Sequence, residues 1–215
     1  MHNPTLVSSI LLVLVYIFNY LSSSWTIGES MTNLSQIFPF PYMPPGWTFG
    51  IAWWVIYFSL LWYIIYLRTR EWTESKVVKE ISPWFWISCI LNILRITSTA
   101  MERYIISVAL IVWLFLVLWT ILTVIKSYAL NKKEEIFVKI PFWLYYGWIS
   151  LATSIIAVSQ FVYQRNVELP LGQTRTIVVV GTWLLVALYS WLRRRNIGQL
   201  LISLLAFAGI ASVLF

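Results

Sequence analysis

The sequence predicts an all-α integral membrane protein with seven transmembrane helices, and two observations lead to this fold class. Of the 215 residues, 60% are hydrophobic and 11% are charged, whereas a typical soluble domain has about 25% charged residues. The chain also contains seven apolar runs of helical length, separated by polar or charged segments. Apolar helices of about 17–25 residues cross a bilayer core of roughly 30 Å, so each run is long enough to span the membrane.

The first two predicted spans are residues 5–21 and 46–67. We interpret the first as a retained helix rather than a cleaved signal peptide, because it lacks a basic leader and is followed by a poor cleavage sequence at 22–25. The second is uncharged over 22 residues and follows Pro44 and Pro45. Proline is tolerated in the first turn of a helix but not in its interior, so these prolines mark the helix start.

The same pattern of prolines and charged loops predicts the other five spans. Pro83 is expected to open a third helix that ends near Thr99, and Pro141 to open a fifth that ends near Val162. The fourth, sixth and seventh spans are residues 104–125, 176–192 and 197–215. Charged loops at 68–80 and 126–139 separate the second span from the third and the fourth from the fifth.

The distribution of positive charge predicts an inside N-terminus and an outside C-terminus. With this orientation, 11 of the 15 Lys and Arg residues fall in inner loops, at 68–79, 126–139 and 193–195. The other four, Arg95, Arg103, Arg165 and Arg175, fall in or near outer segments. Because cytoplasmic loops carry an excess of Lys and Arg, the opposite orientation is disfavoured.

Composition also excludes several kinds of chemistry. The net charge of +7 comes from residues at helix ends, so no basic face is long enough to bind nucleic acid. His2 is the only histidine and Cys89 the only cysteine, which leaves no metal site of the usual kind and no ligand for a histidine-bound haem. The predicted spans contain no carboxylate and no lysine. We therefore predict no catalytic residues, no cofactor and no enzymatic activity.

Tryptophan is unusually frequent, with 14 residues, and ten of them fall into two groups. The first group lies near the predicted inner face, as in a membrane-interface belt: Trp62, Trp72, Trp84, Trp86, Trp143 and Trp191. The second group lies deeper: Trp53, Trp54, Trp113 and Trp148. An indole N–H in hydrocarbon needs a partner or a pocket that holds a polar ligand. On the second helix Phe49, Trp53 and Tyr57 recur every four residues and share one face.

The third predicted helix carries a polar stripe on an otherwise apolar surface. Its members follow at spacings of four, three and four: Ser88, Asn92, Arg95 and Thr99. An ionisable residue within a membrane span is costly and is a candidate site by default. Three roles are open for Arg95: its stem reaches the interface, it pairs with Glu102 or Glu29, or it contacts an anionic group of a ligand.

The fifth predicted helix places Trp148, Ala152 and Ile156 on one face. Small residues there let a neighbouring helix or a flat ligand approach closely. Ser150 and Ser154 form a small-xxx-small pair, a pattern typical of helix packing in membranes. Packing is the favoured interpretation, and a ligand contact is the alternative.

These motifs resemble the tryptophan-rich sensory protein family, also called the translocator protein (TspO) family. The resemblance rests first on two prolines followed by aromatic residues before and within the second helix, which we call the prolyl-aromatic motif: Pro44, Pro45, Trp47, Gly50, Trp53 and Tyr57. It rests also on a fifth helix that begins with a proline, with Pro141, Trp148 and Ala152, and on Asn92 of the third helix. It implies a TspO-like five-helix bundle over residues 1–163, with a pocket beneath the first loop. Residues 164–215 would add two helices, as in a longer seven-helix branch. It also implies a multi-pass protein of the bacterial plasma membrane.

The resemblance further implies a ligand and the residues that line its pocket. The predicted ligand-binding residues are Trp47, Phe49, Trp53, Tyr57, Asn92, Arg95, Trp148 and Ala152. Family ligands are lipophilic, namely tetrapyrroles and, in some members, sterols, and the expected function is their sensing or transport. This chain departs from the family in having Arg95 where a tryptophan usually follows the asparagine, and Ile156 in place of a second asparagine. Expected partners are the bilayer, a lipophilic small molecule and, as an option, a second copy of the chain. The alternative is a structural or scaffold subunit without a small-molecule ligand.

Overall fold

The computed structural model describes residues 4–23, 46–69 and 74–164, and every regular element in these ranges is helical. Five main helices are present: α1 Pro4–Ser23, α2 Gly46–Tyr66, α3 Lys76–Ala100, α4 Tyr104–Lys126 and α5 Ile140–Gln164. A helical turn, Lys132–Glu134, and a π-helical segment, Glu135–Lys139, lead into α5. The predicted sixth and seventh spans lie outside the described residues.

The five helices form a closed ring. α3 packs against both α1 and α4, α4 packs against α5, α5 packs against α2, and α2 contacts α1. The order around the ring is therefore α1, α2, α5, α4, α3. Because α2 and α3 are not neighbours in this ring, side chains that join them meet in the interior of the bundle.

Three helices in the described part of the chain are long and apolar enough to cross a membrane. They cover Thr5–Ser22, Lys76–Ala100 and Tyr104–Lys126, and a shorter apolar stretch of α2 covers Gly50–Tyr66. Their length and composition are those of membrane-spanning helices. The predicted count of seven spans and the predicted orientation stay predictions.

The two ends of the bundle differ in character. At one end the Thr5 hydroxyl donates a hydrogen bond to the Leu67 carbonyl (2.7 Å), and Ser75 donates to Glu134 (2.6 Å). The start of α1 and the connections α2–α3 and α4–α5 therefore lie together, and we call this the charged end. The opposite end, which we call the turn end, holds the tight α3–α4 turn. Glu102 adopts a left-handed conformation there, with φ of 59°.

The predicted start of the third helix at Pro83 is wrong, because α3 begins at Lys76. Ser75 is its N-cap, and the Ser75 hydroxyl accepts a hydrogen bond from the amide of Val78 (3.3 Å). A capping serine supplies the acceptor that the free amides of a helix start require. Pro83 lies inside α3 and is exposed, so its ring does not interfere with core packing.

The predicted charged loop at 126–139 is also too long, because its second half is helical. Asn131 and Glu134 form a capping box: the Asn131 side chain accepts from the Glu134 amide (2.8 Å), and the Glu134 carboxylate accepts from the Asn131 amide (3.1 Å). Pro141 is the second residue of α5 and follows the π-helical segment. Since proline has no N–H to donate, the regular hydrogen-bond ladder cannot run unchanged through this position.

Aromatic side chains fill the bundle interior towards the charged end. Tyr63 of α2, Phe85 of α3 and Phe142 of α5 are each fully buried, and their ring centroids lie 5.1–5.8 Å apart in edge-to-face pairs. Such pairs contribute about 0.5–1.5 kcal/mol beyond the burial of their area. This cluster closes the interior on one side and leaves the polar stripe of α3 nearer the turn end.

Candidate functional site

The polar stripe of α3 faces the interior of the ring. Ser88 and Asn92 are completely buried, and Arg95 and Thr99 are 2% and 3% exposed. The Ser88 hydroxyl donates to the carbonyl of Phe85 (2.7 Å). The Thr99 hydroxyl is satisfied as well, by the carbonyl of Arg95 (2.9 Å) and by a hydroxyl on α4. The two hydroxyls at the ends of the stripe are thus locally bonded, and Asn92 and Arg95 form its chemically distinctive centre.

Arg95 extends into the bundle and not to its surface. Its Nη2 donates to Oδ1 of Asn92 (3.3 Å), and its Cζ lies 5.9 Å from the ring centroid of Trp53. The interpretation that its stem reaches the membrane interface therefore does not fit the structure. Glu102, one of the two expected partners, is exposed at the turn, and no carboxylate of the described residues lies within 4.0 Å of the guanidinium. Glu29, the other, lies outside the described residues.

Aromatic rings from three helices form a group that includes Trp53, the ring that faces this arginine. Trp53 stacks on Tyr57 one turn later, with ring centroids 5.1 Å apart. It also meets two rings of α5 edge to face, Trp148 at 6.1 Å and Tyr145 at 6.3 Å. Tyr57 in turn lies 4.6 Å from Tyr16 of α1. The polar centre of α3 therefore faces a group of rings held by α1, α2 and α5.

Three buried polar atoms of this group have no hydrogen-bond partner among the described residues: Nε of Arg95, Nδ2 of Asn92 and the Tyr57 hydroxyl. Asn92 and Arg95 are polar neighbours of that hydroxyl, but neither makes a well-aligned hydrogen bond with it. A buried polar group without a partner costs about 1–3 kcal/mol. The three atoms can all donate, so the site has more donors than acceptors and can hold an oxygen-rich or anionic group.

The structure brings five of the eight predicted site residues into one cluster: Trp53, Tyr57, Asn92, Arg95 and Trp148. Ala152 is buried one turn after Trp148 on α5. Trp47 and Phe49 lie in the first turn of α2, where the structure describes only the backbone. The same limit applies to Ile156 of α5.

The sequence alone did not identify two members of the aromatic group, and two tryptophans that it predicted to be deep residues in need of a partner are exposed. Tyr145 and Tyr16 were not predicted, although Tyr145 precedes Trp148 by three residues and so shares its face of the helix. Trp54 and Trp113, which the sequence marked as deep residues in need of a partner, are 78% and 64% exposed. Their indoles point away from the bundle and take no part in the site.

Apolar helices form a ring around a buried arginine and several indoles. This arrangement is that of a helical membrane protein with a polar centre among aromatic side chains. The family model described as TSPO-like protein matches residues 5–213. The chain therefore belongs to the TSPO-like family, which confirms the resemblance inferred from the prolyl-aromatic motif. No curated protein and no solved structure matches the chain.

Proposed function

We propose that this membrane protein binds a lipophilic, tetrapyrrole-like ligand at the aromatic cluster and acts in sensing or transport of that ligand. The observation that carries the proposal is the convergence of Trp53 with Trp148, Tyr145 and Tyr57 around one interior position. Membership of the TSPO-like family supports the same function.

Flat aromatic surfaces suit a flat, apolar ligand. Trp53 is only partly buried. Stacked and edge-to-face ring contacts each contribute about 0.5–1.5 kcal/mol beyond area burial. Three or four such contacts would give a planar ligand a clear preference for this position over the surrounding lipid.

The position of the cluster is consistent with access from the turn end. Trp53 lies two turns after the start of α2, and Arg95 lies five residues before the end of α3. Both therefore occupy the half of the bundle where the 24–45 segment connects α1 to α2. The predicted pocket beneath the first loop is part of this proposal.

A titration with protoporphyrin IX in neutral detergent tests the proposal. We expect saturable binding that Trp53→Ala weakens about tenfold, because stacking on one aromatic face accounts for roughly 1–3 kcal/mol. Trp54→Ala is the matched control, since Trp54 is the next residue of the same helix but points outward. Absence of saturable binding, or equal loss in the two variants, would rule out this site.

A structural role is the second candidate, and the outward aromatic face of α2 favours it. Trp54, Phe58 and Trp62 are exposed along one side of the helix, where they can pack on lipid or on another protein. Purification in mild detergent distinguishes the two functions. A stoichiometric partner that is lost with Trp54→Ala, together with no porphyrin binding, would favour the structural role.

A further inference from the structure

We propose that the ligand carries a carboxylate, and that Arg95, Asn92 and Tyr57 form the seat for it. This inference rests on the proposed function, because it names the polar end of the ligand bound at the same cluster.

The charge of Arg95 has no compensating partner in the described part of the protein. A guanidinium remains protonated in proteins, and a buried charge is costly unless it is paired and hydrogen-bonded. Here the charge has one hydrogen bond to a neutral amide at 3.3 Å and one aromatic face at 5.9 Å, close to the outer limit of about 6 Å for a cation–π contact. No carboxylate of the described residues reaches it. Within the described part of the chain, the site therefore lacks one negative charge.

The unpaired hydrogen-bond donors indicate which chemical group the ligand would place beside Arg95. Oδ1 of Asn92 accepts from Nη2 of the guanidinium, and Nδ2 of Asn92 and Nε of Arg95 both remain without an acceptor among the described residues. The Tyr57 hydroxyl adds a donor from α2. A carboxylate offers about four acceptor positions and binds a guanidinium through two parallel bonds. It would therefore satisfy all three atoms and the charge together, whereas an alcohol, ester or sterol hydroxyl would leave the charge unpaired.

The same geometry places the rest of the ligand. Trp53 contacts both the guanidinium and two rings of α5, so an apolar body attached to the carboxylate would lie against the aromatic cluster. The ligand class is an amphiphile with a flat or extended apolar body and an acidic end. Asn92 acts as a positioning residue, because it orients the guanidinium through its Oδ1.

Comparison of protoporphyrin IX with its dimethyl ester tests the seat, because the two probes share a ring system and differ in charge. In neutral detergent we expect the wild-type protein to bind the diacid at least about tenfold more tightly than the ester, since charge-assisted hydrogen bonds are the strong ones. Arg95→Gln should abolish this preference and leave ester affinity within about twofold. Arg103→Gln, which changes an exposed arginine at the start of α4, should keep the full preference.

The outcomes separate this inference from the proposed function. If both probes bind equally to the wild-type protein, or if the preference survives Arg95→Gln, the carboxylate seat is refuted while ligand binding stands. If neither probe binds, the proposed function fails as well. Arg95→Lys keeps the charge and should retain part of the preference, and the retained ester affinity of Arg95→Gln shows that its loss of preference is not a folding defect. Glu29→Gln should leave the preference unchanged within about twofold; a large increase would show that Glu29 occupies the seat.

Discussion

The guanidinium of Arg95 on α3 faces the indole of Trp53 on α2, with 5.9 Å between its Cζ and the ring centroid. The two helices are not adjacent in the five-helix ring, so this contact crosses the interior of the bundle. A positive charge and an aromatic face thus meet at the centre of an apolar protein. Each of the following predictions concerns a contact that joins helices or loops in this arrangement.

Arg95→Met should stabilise the ligand-free protein. Replacing buried charged groups by apolar side chains of similar volume is often neutral or stabilising by about 1–4 kcal/mol, and this arginine has no carboxylate partner among the described residues. We expect the melting temperature in detergent to rise by about 2–4 °C per kcal/mol for a chain of this length. A fall relative to the exposed control Arg103→Met would show that Arg95 has an internal counter-ion.

Ser75→Ala should destabilise the charged end of the bundle. The Ser75 hydroxyl caps α3 through the Val78 amide and donates to the Glu134 carboxylate, so one substitution removes a helix cap and a bridge between two loops. Both groups are buried, and the loss should be about 1–3 kcal/mol. Unfolding by a titration from mild detergent into dodecyl sulfate measures it. Ser127→Ala, which removes only a local and exposed bond, should change the free energy of unfolding by less than about 0.5 kcal/mol; equal losses would contradict the bridge.

Trp86 and Ser8 should be energetically coupled. The indole Nε1 of Trp86 donates to the Ser8 hydroxyl at 2.8 Å, and this bond joins α3 to α1 in an apolar interface. A double-mutant cycle with Trp86→Phe and Ser8→Ala should give a coupling energy of about 1 kcal/mol. The matched cycle with Trp84→Phe should be additive within about 0.5 kcal/mol. Additivity in both cycles would mean that the bond does not hold α1 in place.

Tyr128 should ionise at higher pH than an ordinary tyrosine. Its hydroxyl donates to the Glu80 carboxylate at 2.5 Å, and this hydrogen bond is the main reason why the pKa of Tyr128 is raised above 10.0. The neutral phenol is favoured in the folded state, so its contribution to stability is complete below about pH 10 and is lost as pH rises through the raised pKa. The tyrosinate absorbance difference between wild type and Tyr128→Phe reports this titration. Glu80→Gln should move it back towards 10.0; no movement would exclude Glu80 as the cause.

Much of the fold could be predicted because membrane insertion imposes simple rules on composition and length. The boundaries of α1, α2 and α4 agree with the predicted spans to within about two residues, and the prolyl-aromatic motif led to the family. The start of α3 could not be predicted in the same way. A proline and a capping serine are both helix-start signals, and the hydrogen bond from the Val78 amide to Ser75 decides in favour of the serine.

The sequence by itself determined that this chain is a helical membrane protein and that Ser88, Asn92, Arg95 and Thr99 share one helix face, since these properties depend only on composition and helical period. It did not determine which way that face points. In a helix that is apolar on nearly every side, hydrophobic periodicity cannot distinguish the interior from lipid. Only the packing of α3 against α1 and α4 decided that the stripe faces inward, and the packing of α2 against α5 and α1 turned Trp53 towards the arginine and Trp54 towards the outside.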